Sequence, residues 1–462
     1  MATARGVVIG MKRWYANYCD ASGNPKQGAV RMTGMTMSMG ARSTGRERVA
    51  VIGSGVSGLT AAYLLRRRYD VTLFEGARRL GGHAHTHSVP GEGGRVTPVD
   101  SGFIVHNDRT YPQLRRLFGE LGVPTTPTEM SMSIACQGCG LEYAGGRGAK
   151  GVLAQPSAVL RPQFARLLLQ VPRFHRAAIS YLQESVEDDV QPYGEWLRSR
   201  GFSTYFINHY AIPIVTCVWS SGHGSALQYP ARYLFEFLRH HGMLSLSGSP
   251  QWRTVVGGSQ VYVQKIADLL PDVRVADDVR GISRGERVRV HHASGTTEVD
   301  RVVIATHADE ALALLESPSD DERRVLGAFG YTPNKTVLHG DLRMLPRARQ
   351  AQASWNYSMS SCHGEDELPT VTYWMNKLQH LPAARPFLVT LNPSDSWSRQ
   401  DEIETMVYTH PIYTPDSVRA QRELPLLNSS QVAFAGAYHG WGFHEDGARS
   451  GVEAARHFGA GW

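Results

Sequence analysis

The chain has 462 residues, enough for one large core or two intergrown ones. Its 42% hydrophobic and 19% charged content is the balance expected of a globular protein, and no apolar run reaches the roughly 18 residues of a membrane-spanning helix. The net charge of +6 is carried mainly by arginines scattered among acids rather than striped, which argues against a nucleic-acid partner. A cytoplasmic location is expected. Membrane contact would be at most peripheral, because Arg66, Arg67 and Arg68 form only a short basic run and no amphipathic anchor stands out.

Residues 1–46 hold seven basic residues, one acid (Asp20) and a tract rich in methionine. They read as a disordered basic extension, with Met32, Met35, Met37 and Met39 as alternative starts and a targeting leader as the other reading.

The stretch after it carries most of the functional information. Val49 to Ile52 is a short β-branched run of the kind that makes a buried parallel strand. Gly53, Gly55 and Gly58 follow in G-x-G-x-x-G spacing, with Ser57 inside the triplet, and then a helix-like run. In such a turn the first glycine makes the bend, the second admits a pyrophosphate to the backbone, and the third lets helix and strand pack closely. The helix N-terminus offers unpaired N–H groups and a positive dipole end. A second apolar run, Val71 to Phe74, ends in Glu75, about twenty residues on, where an acid binds ribose hydroxyls and favours FAD or NAD over a phosphorylated ribose.

Further along, residues 106–249 are rich in helix-like patterns, such as YPQLRRLFGEL and PARYLFEFLRHHG. From Gly257 a glycine turn enters a helix, followed by a strand at Val273–Val275, an alternating meander from Val279 and a buried strand, Val302–Ala305. Residues 313–427 mix strand-like runs with loops marked by Pro and Gly. Val432 to Phe434 is one more buried strand, running into Gly436 and a final helix. The pattern predicts an α/β dinucleotide-binding domain assembled from 47–105, 250–312 and 428–462, interleaved with a mixed α+β substrate domain from 106–249 and 313–427. The substrate pocket is expected where the two face one another.

Cys19, Cys136, Cys139, Cys217 and Cys362 are odd in number and scattered, which is no disulfide framework and suits a reducing compartment. Cys136 and Cys139 form a C-x-x-C inside CQGCG, read as a glycine-rich turn between two short strands. Structural zinc would need two further ligands, and none is evident in the sequence, so no metal is expected.

Glu75 continues as E-x-x-x-R-x-G-G through Arg79, Gly81 and Gly82, and this resembles the flavin-dependent amine oxidase and phytoene desaturase superfamily. The segments GGHAHT, SGFIVHNDRTYPQL, GSPQWRTVVGGSQVYV, ASWNY, VTYWMNKLQHL and AGAYHGWGFHEDGARSG further resemble bacterial FAD-binding oxidoreductases often encoded beside a cyclopropane-fatty-acyl-phospholipid synthase. They are similar also to the oxidase-like domain in front of the methyltransferase of plant cyclopropane fatty acid synthases. The resemblance implies a Rossmann-like FAD-binding domain of amine oxidase type and a noncovalent FAD. Gly53, Gly55 and Gly58 would face the pyrophosphate, Glu75 the adenosine ribose, and Arg79, Gly81 and Gly82 the ribityl side. Val279 would meet the adenine through its backbone. The final helix, expected to begin near Asp446 and Gly447, would point its N-terminus at the flavin. His83 stands where many amine oxidases carry arginine.

For chemistry, Lys335 resembles the lysine that amine oxidases bond through water to the reactive flavin nitrogen, where desolvation would lower its pKa. Its plain alternative is a solvated strand lysine. Trp441, Phe443 and His444 fall where the superfamily places groups facing the ring, with His444 as an acid or base or, like the other two, a wall of the pocket. His83, His85 and His87 read as hydrogen-bonding partners near the cofactor rather than metal ligands. His240 and His241 read as interdomain polar contacts. The expected activity is hydride transfer to flavin from a lipid-like acyl substrate, unsaturated, methylated or cyclopropane-bearing. An amine oxidase is the second reading, and a flavin-stabilised partner of a fatty acid methyltransferase the third.

Overall fold

Arg48–Ile52 and Asp70–Glu75 pair in parallel and are joined through helix Val56–Leu65, as the apolar runs and the glycine turn between them require. The computed structural model describes residues 45–186, 189–245, 248–363, 368–394, 397 and 399–462; the N-terminal extension up to residue 44 lies outside the described residues. The strand pair sits in a five-stranded sheet ordered Asp272–Val275, Asp70–Glu75, Arg48–Ile52, Arg301–Ile304, Val432–Phe434, parallel throughout. Val49, Ala50 and Val51 are fully buried, as a parallel sheet covered on both faces demands. On one face Val49 and Val51 pack with Leu59, Ala62, Ala448 and Val452 of helices Val56–Leu65 and His444–His457. On the other, Ala50 and Ile52 pack with Val279, Ile282 and Val288 of an antiparallel meander and with Ala308 and Val325 of two short helices.

The remaining chain builds a seven-stranded sheet ordered Glu402–Ile412, Gly330–His339, Leu388–Leu391, Thr370–Trp374, Trp355–Met359, Met132–Cys136, Leu141–Gly145. Leu338, Tyr357 and Tyr373 from this sheet share one core with Phe164, Phe174, Trp196 and Phe235 of a helical layer. That layer includes Pro162–Glu184, Ile212–Trp219 and Ala231–His240. Thr204–Phe206 leads into Ile212–Trp219 through a π-helical turn, Ile207–Ala211. A small sheet of His106–Asn107, Trp252–Val255 and Thr125–Pro127 joins the segments near residues 106 and 252. Residues 46–462 form one compact unit, and among the described residues no helix is long and apolar enough to cross a membrane.

The final helix begins at His444, upstream of the expected start near Asp446 and Gly447. The Asp446 carboxylate accepts the Phe443 N–H at 3.1 Å, so an acid read as the helix start is the residue that caps the turn before it.

Candidate flavin site

Gly53 has φ +95°, and a Cβ there would meet the Ala305 carbonyl oxygen at 2.7 Å, so the bend admits only glycine. A Cβ on Gly58 would fall on the Gly53 carbonyl, which is the close strand–helix approach that the third glycine permits. Beside Gly55 the opposite holds: an added Cβ would meet nothing within 4 Å. Helix Val56–Leu65 starts there with no side-chain cap and no acid in its first turn, and Ser57 is buried within that turn. The start of a buried helix therefore has no side-chain cap and has room beside Gly55, the environment an anionic pyrophosphate suits.

Glu75 ends its strand at the carboxyl edge of the sheet. Its carboxylate accepts Ser54 N–H at 3.0 Å, Ser54 O–H at 2.5 Å and Ala77 N–H at 2.8 Å, which fixes its direction beside the glycine turn. Gly81 lies against the same turn, its N–H bonded to Ser54, and a Cβ on Gly82 would come within 3.1 Å of Gly55 Cα. Arg79 is half-buried between Glu75 and Tyr408; desolvation lowers its pKa, while both neighbours oppose the shift. Asp277 N–H bonds the Glu75 carbonyl, which brings Val279, at the start of its strand, close to the end of the Glu75 strand.

Gly436 follows strand Val432–Phe434 and donates its N–H to Ser450 Oγ at 2.9 Å. Gly447 meets helix Val56–Leu65 side-on: a Cβ there would lie 2.6 Å from Val56 Cγ1, so its structural service is close packing of the two helices. Asp446 is buried and bonded to Phe443 N–H and the Arg449 guanidinium; burial raises its pKa and both partners oppose that.

The residues expected to face one ring diverge. Phe443 stacks on Phe237 at 4.9 Å, and Trp441 lies 5.5 Å from His240, both in an aromatic cluster with Trp219, Tyr233 and Tyr413. His444 turns the other way, stacked on Phe103 at 3.7 Å with Nε2 3.2 Å from the Tyr262 hydroxyl. Burial, with the nearby His106, pushes its pKa down to about 3, so it stands neutral. His240 and His241 reach across the expected domain boundary through rings rather than polar groups, to Trp441 at 5.5 Å and Trp252 at 6.3 Å; His241 also stacks on Phe237 at 4.1 Å and bonds the carbonyl of that same residue.

Lys335 corrects the expectation of a desolvated lysine. It is exposed, paired with Val407, itself 63% exposed, while its neighbours Asn334 and Thr336 point inward and are fully buried. The alternation of the strand turns the amine to the outer face.

The inner face of that strand pair carries groups that sequence reasoning missed. Tyr408 bonds His85 Nδ1 at 2.9 Å and Ser101 Oγ at 2.6 Å, and Ser101 bonds His87 Nε2 at 2.7 Å. His83 packs its ring 5.0 Å from Tyr408 and 5.4 Å from His410, with His307 at 6.4 Å. Burial, reinforced by His410 and His307, holds His83 well below its usual range; burial and the neighbouring His307 bring His410 to about 4. The Nε2 atoms of His83 and His439 are buried with no hydrogen-bond partner. Both residues lie in loops beyond the carboxyl ends of the parallel strands, where doubly wound sheets bind ligands. No short motif marks Tyr408 or His410, whose strand shows no alternation in burial.

An uncapped buried helix start, an anchored acid at the next strand end and orphaned polar atoms around the sheet's carboxyl edge define a nucleotide-binding protein whose residues fit a flavin dinucleotide. Residues 56–457 match the family of flavin containing amine oxidoreductases, and the chain belongs to that family. It is 30% identical over 282 residues to a Mycobacterium tuberculosis protein assigned as a flavin-containing monoamine oxidase, covering 58% of this chain and 59% of that one. Solved structures share the fold at lower identity. A fatty acid isomerase from P. acnes that produces CLA has a TM-score of 0.63 at 16% identity, covering 89% of this chain and 98% of that one. Cyclohexylamine oxidase from Brevibacterium oxydans has a TM-score of 0.63 at 17% identity with the same coverage. The family uses FAD, typically held noncovalently, and the residues of this site fit that cofactor.

Proposed function

We propose that the protein takes hydride from a C–H bond of a lipid-like acyl chain, oxidising the chain or moving its unsaturation. The observation that carries this reading is the aromatic cluster of Trp219, Tyr229, Tyr233, Phe237, Tyr413 and Phe443. The buried Asp446 carboxylate, next in the chain to this cluster, is already taken by Phe443 N–H and Arg449. Such a surface suits an apolar chain. The fold is shared with an enzyme whose substrate is a fatty acid, and the sequence resemblance to oxidoreductases encoded beside cyclopropane fatty acid synthases supports the same substrate class.

The chemistry supplied at this site would be the hydride acceptance of a bound FAD. The chain's own part is to bind and orient. Gly55 and the start of helix Val56–Leu65 would receive the pyrophosphate, and Glu75 would hold the ribose. The aromatic cluster excludes water, and the neutral His444 holds a proton on one ring nitrogen beside Tyr262.

Anaerobic mixing with unsaturated or methylated acyl phospholipids tests the reading: loss of the flavin's visible absorbance is expected, and none across a panel of amines. Bleaching by amines with peroxide release in air would establish instead the second reading, an amine oxidase, which the 30% identity to the monoamine oxidase relative favours. A partnership with a fatty acid methyltransferase would appear as co-purification of the two proteins.

A further inference from the structure

The C-x-x-C turn has partners that the sequence does not reveal. Cys136 ends strand Met132–Cys136, and the parallel neighbour Trp355–Met359 runs on to Cys362. The Gln137 N–H to Met359 carbonyl bond, 2.9 Å, extends that pairing into the turn. Gly138 makes the approach possible, since a Cβ there would lie 3.0 Å from Cys362 N and 3.1 Å from Ser361 Cα. From the helical layer, the π-helical turn Ile207–Ala211 presents His209; such turns are frequent at functional sites. Asn208 donates to the Cys362 carbonyl at 2.8 Å and fixes the two segments together.

We propose that Cys136, Cys139, His209 and Cys362 bind one zinc ion, a structural site that staples the end of the seven-stranded sheet to the helical layer. The donor atoms Sγ, Sγ, Nε2 and Sγ all lie within 4.8 Å of one another. Cys136 Sγ is 3.7 Å from Cys362 Sγ, and Cys139 Sγ is 3.6 Å from His209 Nε2. A tetrahedral zinc with ordinary bond lengths sets its sulfur–sulfur edge at about 3.8 Å and its sulfur–nitrogen edge at about 3.6 Å. A disulfide needs about 2.05 Å, so the sulfurs stand at the separation of co-ligands and not of a bonded pair.

The surroundings suit thiolate and neutral imidazole ligands. His209 Nδ1–H donates to the Tyr205 carbonyl at 3.0 Å, which leaves Nε2 with its lone pair toward the sulfurs, and the ring stacks on Tyr205 at 3.9 Å. The Cys139 sulfur accepts the Leu141 N–H and lies 3.7 Å from the Tyr205 hydroxyl, and the Cys139 N–H reaches back to the Cys136 sulfur. Arg161 donates to the Cys139 carbonyl at 2.8 Å, putting a positive charge beside a site whose three thiolates and one divalent ion would sum to a single negative charge. Four protein ligands leave no open position, which is the arrangement of a structural rather than a catalytic zinc.

Elemental analysis of the purified full-length flavoprotein is expected to give one zinc per chain after exhaustive dialysis. Expression with cobalt(II) should add the long-wavelength bands of tetrahedral thiolate-bound cobalt, outside the flavin absorption. Cys139→Ser and Cys362→Ser should each bring metal content to background, whereas Cys217→Ala, on the buried helix Ile212–Trp219, should retain it. Should the ligand variants fail to fold, metal content and cobalt bands of the wild-type protein decide alone. Wild-type protein with full flavin content, no metal and all its thiols titratable, or with a Cys136–Cys362 disulfide by mass spectrometry, would overturn the proposal. So would loss of the metal from a folded, flavin-loaded Cys217→Ala.

Discussion

His410 and His444 are histidines that the fold buries without charge, with pKa values brought down to about 4 and about 3 from 6.5. The cause is desolvation first, with His307 and His106 adding repulsion. Between the depressed values and 6.5 the unfolded chain binds more protons than the folded one. Their contribution to stability is therefore intact above pH 6.5 and is lost as the pH falls toward 4, by about 1.4 kcal/mol per pH unit for each histidine. Thermal melts between pH 7 and pH 4.5 should show this acid loss, and His444→Gln should make the curve visibly shallower. An unchanged slope would mean that His444 titrates normally. The same scale explains why Lys335 misled: one residue of register decides whether a strand side chain enters the core or solvent, and only the neighbours' burial reveals which.

At the level of elements, the crossing of helices Val56–Leu65 and His444–His457 ties the glycine turn to the end of the chain. A Cβ on Gly451 would fall on the Ser57 carbonyl and within 3.0 Å of Thr60 Cβ, so Gly451→Ala must push the helices apart. Overpacking of this kind costs about 1–3 kcal/mol. Because Ser57 stands in the first turn beside the expected pyrophosphate, the variant should lower both the melting temperature and the flavin content. A lower melting temperature with unchanged flavin affinity would separate the crossing from the site.

The parallel strands Arg48–Ile52, Asp70–Glu75 and Val432–Phe434 were legible because each holds a short apolar run soon closed by glycine or an acid, a signal that burial imposes on sequence. The seven-stranded sheet was much less so. Its edge strand Glu402–Ile412 is mostly half-exposed and shows no two-residue alternation, so Tyr408 and His410 sit in a segment without a readable period. The cysteine cluster was half legible: the C-x-x-C showed in the sequence, but His209 and Cys362 are brought in by tertiary packing from positions 70 residues after Cys139 and 226 after Cys136.

Over the whole molecule, the groups that fit FAD are drawn from distant parts of the chain, from Gly53 through Val279 to Gly436, and converge at the carboxyl edge of one sheet. A ligand that bridges such segments binds the folded chain and not the unfolded one, so it stabilises by mass action, about 2.7 kcal/mol at a hundredfold excess over Kd. The anchoring groups, Gly55, the uncapped helix start and Glu75, all lie on the side that takes pyrophosphate and adenosine. Flavin-stripped protein should therefore regain its melting temperature with FAD, gain less with FMN, and gain little with riboflavin, which carries neither phosphate nor ribose for these groups to hold. Equal rescue by riboflavin would place the binding energy on the ring, within the aromatic cluster of Phe237 and Phe443. The glycine turn would then serve the packing of strand and helix alone.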